Sequence, residues 1–111
     1  MNKETEEKIG QLQSIEQGMQ SFLMQKQQLQ MQMMEIESAL KEIGKNSEKA
    51  YKIIGNIMVS SEKEELKKEL EEKKKRIELK IKSVENQEKQ MKEKASSVQS
   101  EVMKGLKEKK E

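Results

Sequence analysis

The side chains that most often do chemistry in proteins are largely missing from this sequence. It contains no histidine, no cysteine and no aspartate. Disulfides, thiol catalysis and the usual transition-metal sites are thereby excluded. Every acidic residue is a glutamate set among lysines, which is the pattern of a solvated helix surface and not of an acid/base pair. The serines have no base at a recognisable spacing. The isolated glycines do not match the G-x-x-x-x-G-K-S/T phosphate loop. No catalytic, cofactor-binding or metal-ligating residue is expected, and the chain is not expected to be an enzyme. What remains for the sequence to use is apolar surface, and it lies in one short cluster and two long periodic seams.

The composition limits how that surface is organised. Charged residues make up 40% of the 111 residues and hydrophobic ones 32%, with one tyrosine (Tyr51), one phenylalanine (Phe22), no tryptophan and no proline. This is too little large apolar side chain for an ordinary globular core, and it fits an extended coiled coil. Glu, Lys, Gln, Met and Leu dominate, and all are good helix formers. The net charge is only +2, which draws neither nucleic acid nor a membrane strongly. The basic run KKKR at 73–76 is flanked by glutamates, and stacking aromatics are nearly absent, so no nucleic-acid partner is expected. No segment approaches the roughly 20 apolar residues of a membrane span. The first residues, MNKETEEKIGQ, show no signal-peptide pattern, so the expected location is the cytoplasm.

Two helices, each with one seam, account for most of the chain. In the first, about 5–43, Leu12, Met19, Lys26, Met33 and Leu40 alternate with Ile15, Phe22, Leu29, Ile36 and Ile43 at heptad spacing. Gly44 suits a C-cap, and KNSEK makes a polar link. In the second, about 62–105, Ser61 and Glu64 read as a capping box. Leu70, Ile77, Val84, Met91 and Val98 recur every seven residues, and Leu66, Lys73, Ile81, Glu88, Ala95 and Val102 form the partner set. A stutter is expected near Ile77–Ile81. Residues 106–111 read as a flexible tail. Helices of equal length joined by a compact connector imply an antiparallel hairpin in which facing positions sum to about 110. Leu40 then meets Leu70, Met33 meets Ile77, Met19 meets Met91 and Leu12 meets Val98. Lys26 lands near Val84 and Glu85 with Glu88 a turn away. It either pairs with one of these carboxylates or reaches past them to water.

The connector is the other apolar feature. In AYKIIGNIMVSS, Gly55-Asn56 is a two-residue turn signal between Tyr51-Lys52-Ile53-Ile54 and Ile57-Met58-Val59-Ser60. A β-hairpin over 50–60 is expected, with Tyr51, Ile53, Ile57 and Val59 on one face and Ile54 and Met58 on the other. A lone hairpin is marginal in water, and its free edges invite other strands. Pooling hairpins from several subunits into a β-barrel would remove the edges. Residues 1–111 are therefore read as a single mainly α domain, a long antiparallel coiled-coil hairpin with one β-hairpin between its helices.

This arrangement resembles the β subunit of archaeal prefoldin. The resemblance covers nearly the whole chain and is most specific at YKIIGNIMV, with support from the Gln-rich first helix and the NQEKQMKEK run. It implies a hexamer of two α and four β subunits, with an α-type subunit as partner. It also implies binding of unfolded proteins at the coiled-coil tips without ATP, and delivery to the group II chaperonin. In the antiparallel register the tip residues are Ile9, Leu12, Ile15 and Met19 with Val98, Val102, Met103 and Leu106. Gly10, Gly18 and Gly105 are expected to loosen this end so that its seam can open. The assembly residues are Tyr51, Ile53, Ile54, Gly55, Ile57, Met58 and Val59. Met24, Met31 and Met34 lie off the seam, either lining a cavity between arms or as helix-compatible filler. The alternative to a chaperone subunit is a structural or tethering coiled coil that binds no client.

Overall fold

The computed structural model describes residues 2–45 and 49–109. Helix α1 (Lys3–Lys45) leads to strands β1 (Lys49–Ile54) and β2 (Ile57–Glu62), and helix α2 (Lys63–Lys109) follows. This is the expected architecture of two long helices with an antiparallel hairpin between them.

Helix α1 starts where Asn2 caps it. The Thr5 N–H donates to Asn2 Oδ1 at 2.7 Å and the Glu6 N–H to the Asn2 carbonyl at 3.1 Å. These bonds satisfy donors that have no partner inside the helix. Glu4 and Glu6 in the first turn and Lys45 in the last match the helix dipole. The helix runs through Gly44, so the C-cap expected there does not form; Gly55 alone among the described residues has a positive φ. Ser61 also departs from its expected role. It is the penultimate residue of β2, and α2 begins at Lys63 with Glu64 and Glu65 in its first turn. The strand ladder extends past the hairpin expected over 50–60 and takes Ser61 before the helix begins. Residues 106–109, read from sequence as tail, are the last part of α2. The link at 46–48 and residues 110–111 lie outside the described residues.

The chain forms two compact units. One contains the chain up to Gln27 and from Lys82 onward, and Ile15, Val84, Val98 and Val102 are buried in it together with Thr5. The other is Gln28–Ile81, with Ile36, Leu66 and Ile77 buried. Every seam residue of α1 from Leu12 to Ile43 is buried or half-buried. In α2 the seam differs from expectation at one residue: Lys73 is exposed and Lys74 is half-buried. The inward residues then run Leu66, Leu70, Lys74 and Ile77, two steps of four and one of three. The break in the heptads therefore falls before Ile77, not after it. An eleven-residue step brings Leu66 and Ile77 onto one line, which a strict heptad would not.

Glycines at the helix ends have different surroundings. A Cβ on Gly10 would meet nothing within 4 Å, whereas one on Gly105 would stand 2.6 Å from Thr5 Oγ1. Gly105 is thus a site of close helix packing. Gly10→Ala is expected to raise the melting temperature, since alanine favours a helix over glycine by about 1 kcal/mol. Gly105→Ala is expected to lose that gain to the clash with Thr5. Equal gains in thermal melts of the two variants would contradict the packing described.

Candidate functional site

Exposed apolar side chains are densest on the hairpin, and Met24, Met31 and Met34 are also exposed on α1; a groove in the other unit has an apolar lining that is buried or half-buried. The hairpin turns on Gly55, whose φ is +62°. Asn56 has no positive φ, so the pair forms the II′ arrangement that suits the twist of flanking strands. Ile54 pairs with Ile57, Ile53 with Met58, Lys52 with Val59 and Tyr51 with Ser60. Directly opposed residues point to the same side of a sheet. One face therefore carries Tyr51, Ile53 and Met58, and the other Ile54, Ile57 and Val59. This corrects the expected grouping of Tyr51 and Ile53 with Ile57 and Val59. A two-residue loop opposes positions three apart, which places Ile54, not Ile53, on the side of Ile57.

All six apolar side chains are exposed; Ile53 reaches 71% and Met58 66%. Val59 is the least exposed, and Lys52 beside it is half-buried and forms an ion pair with Glu69 of α2 at 3.4 Å. The strands form a two-stranded sheet, so each has one unpaired edge.

At the other unit, the expected tip residues separate by exposure. Ile15, Val98 and Val102 are buried, Ile9, Leu12 and Met19 are half-buried, and Met103 and Leu106 are exposed. Two contacts not anticipated from sequence close this end. Thr5 packs on Gly105, and Lys8 Nζ lies 3.1 Å from Glu101 Oε2 and 3.5 Å from Glu4 Oε1. The signal was present: the seam repeats of Leu12 and Ile15 reach back to Thr5 and Lys8, and 5 and 105 sum to 110. Their polar side chains hid the continuation.

Further along the same unit, Lys26 resolves its two expected options in favour of pairing. Its Nζ donates to Glu88 Oε1 at 2.9 Å, and both side chains are largely withdrawn from water. A charge pair at seam positions favours the one register that brings the partners together. The hydrogen bond to Glu88 raises the Lys26 ammonium above its ordinary value of 10.5, against partial burial and with help from the Glu88 and Glu85 charges. The groove lies on the same unit. Its volume is about 670 Å³, and Ile15, Phe22 and Met91 supply its apolar lining.

A family profile described as prefoldin subunit matches residues 6–109. The chain belongs to the prefoldin subunit family. Its structure is similar to the crystal structure of the prefoldin β subunit from Thermococcus strain KS-1. The TM-score is 0.88 at 30% sequence identity, covering 95% of this chain and 94% of that one. Among curated proteins none matches the chain. Prefoldin membership makes this a chaperone-type subunit that assembles with other prefoldin subunits. No helix among the described residues is long and apolar enough to cross a membrane.

The Lys26–Glu88 pair is expected to make the stability of this prefoldin chain depend on pH. A lysine whose folded pKa is raised contributes stability that is complete below its unfolded value, near 10.5, and is lost as pH rises through the folded value. In urea titrations the advantage of wild type over Lys26→Met is expected to hold steady at neutral pH and to shrink above about pH 10.5. An advantage that persists unchanged at higher pH would show that the pair does not contribute.

Proposed function

We propose that this chain is an ATP-independent holdase subunit, one prefoldin-like domain spanning residues 1–111. Its hairpin joins a β-barrel shared between subunits, in a hexamer of two α-type and four such chains. Unfolded proteins are held at the helix ends, around Ile9, Leu12, Ile15 and Met19 with Val98, Val102, Met103 and Leu106, and are passed to the group II chaperonin in the cytoplasm.

The observation that carries this reading is a sheet of two strands with apolar side chains on both faces and both outer edges free. Water is a poor solvent for such a hairpin, and neighbouring strands would satisfy the edges and the faces together. The residues assigned to assembly are Tyr51, Ile53, Ile54, Gly55, Ile57, Met58 and Val59. Gly55 serves by its backbone and the rest by their side chains. The family supports the chaperone part of the reading, because prefoldin subunits act as chaperone assemblies.

The test combines size and activity. The chain is mixed with an α-type partner, sized by light scattering after gel filtration, and added to a denatured protein diluted into buffer without ATP. A hexamer-sized species that suppresses aggregation is expected. Ile53→Lys is expected to break the assembly while circular dichroism still reports high helix content. A variant that assembles fully would count against the barrel. A small stable dimer that suppresses nothing would identify a tethering coiled coil instead.

A further inference from the structure

Methionines occur in three different surroundings in this chain. Among the described residues, Met19, Met33 and Met91 are half-buried in the helix seams. Met24, Met31, Met34 and Met103 are exposed on the helices. Met58 is exposed on β2. The sequence has no cysteine, so the thioethers are the side chains most open to oxidation by a hydroperoxide.

The consequence of oxidation depends on the neighbours. Met24 and Met31 have Gln20, Gln27 and Gln28 one helical turn away. A sulfoxide there stays in water among amides that already form hydrogen bonds, and it changes little. Met58 differs. Ile53 stands directly opposite it in the ladder, and Tyr51 lies on the same face. Ile53 is 71% exposed and Met58 66%, so nothing among the described residues covers this face. The half-buried Lys52 and its ion pair with Glu69 belong to the other face. Met58 is thus accessible to small oxidants and sits at the centre of an apolar surface.

We propose that Met58 is an oxidation site that governs whether this chain can assemble. The proposal rests on the reading of the hairpin as the assembly surface and adds a chemical control to it. In the free chain the Met58 sulfur attacks the terminal oxygen of a hydroperoxide. The S–O bond forms as the O–O bond breaks, and the proton on the transferred oxygen passes to the departing alkoxide. The products are a sulfoxide and an alcohol, or water when the oxidant is hydrogen peroxide. Sulfur gives up an electron pair and the peroxide is reduced by it. The new oxygen is a polar acceptor opposite Ile53, whose side chain has no donor. It costs nothing while the hairpin faces water, but burial against another subunit's strands would strip that water away. Oxidation therefore blocks assembly and leaves the helices intact. A hairpin that has already assembled shields the same sulfur.

The test treats the full-length chain with hydrogen peroxide, removes the excess with catalase and maps sulfoxides by peptide mass. The chain is then titrated with its α-type partner and sized by light scattering after gel filtration. The partner concentration needed for half-assembly is expected to rise at least about tenfold, with unchanged circular dichroism. Methionine sulfoxide reductases of both stereospecificities, with dithiothreitol, are expected to restore assembly. Met58→Leu, treated in the same way, is expected to assemble like the untreated chain although its helix methionines are oxidised. Met58→Gln, which places a permanent amide on this face, is expected to assemble weakly without peroxide. In a complex formed beforehand, Met58 is expected to oxidise about tenfold or more slowly relative to the free chain.

Assembly of a chain carrying the Met58 sulfoxide at the untreated concentration would overturn the proposal. So would an equal loss in oxidised Met58→Leu, since another methionine would then be responsible, or normal assembly of Met58→Gln. Failure of the sulfoxide to form at Met58 would remove it as an oxidation site. Untreated wild type that never assembles would remove the assembly reading as well. Wild type that assembles normally before and after oxidation would remove the control alone.

Discussion

Each helix segment in this protein has one helix to pack against. That constraint governs the rest. With a single neighbour, only a narrow stripe of each helix leaves water, and no large side chain among the described residues falls below 2% exposure. The core is therefore a line and not a volume. Its stability is the sum of modest steps, each supplied by one buried or half-buried residue such as Ile15, Ile36, Ile77 or Val98. A line also permits sliding, because apolar residues seven apart look alike to the opposite helix. The Lys26–Glu88 pair breaks that degeneracy. In a slipped register both charges would face apolar seam positions without a partner, and an unpaired charge withdrawn from water is costly.

The hairpin presents the opposite situation. It is rich in β-branched residues and ordered by its own turn, but it has nothing to pack its faces against beyond the base near Lys52 and Val59. A sheet normally hides one face on a core and shows a polar face to water. Here both faces are apolar near the turn. The unmet demand for burial that a globular protein satisfies internally is thereby concentrated at one place. Prefoldin subunits assemble with each other, and the hairpin is the part of this chain that leaves such a demand unmet.

Much of this was legible in the sequence, and the misses have physical causes. The seam of α1 was readable because three-four spacing from Leu12 to Ile43 has no competing interpretation. The hairpin was readable because Gly55-Asn56 stands between two apolar runs. Its faces were not, because alternation along each strand does not fix the relation between strands; the loop length does. In α2 the exchange of Lys74 for Lys73 was invisible because two adjacent lysines offer no hydrophobic contrast. Ser61 reads as a cap because the motif is intact, but the strand ladder takes it first. The groove was hidden for a different reason. A glycine in a helix signals lost stability, but the same missing side chain is also space.

That double meaning separates the glycines of the helix ends by their neighbours. Gly105 is filled by Thr5, Gly18 is approached by Met91, and Gly10 faces open space. Only the first two have partners that stiffen the pair, so flexibility does not follow from glycine content alone. A surface that holds unfolded chains has to be apolar enough to bind them and polar enough not to hold copies of itself. Charge would meet the second need and defeat the first, because any bound segment would have to strip it of water. Glutamine meets both. It keeps a helix hydrated, and its amides remain able to pair with a backbone when water leaves. On the proposed holdase reading, the scarcity of charge between Ile9 and Gln27, in a chain otherwise crowded with it, would serve such a surface better than a fully solvated face would.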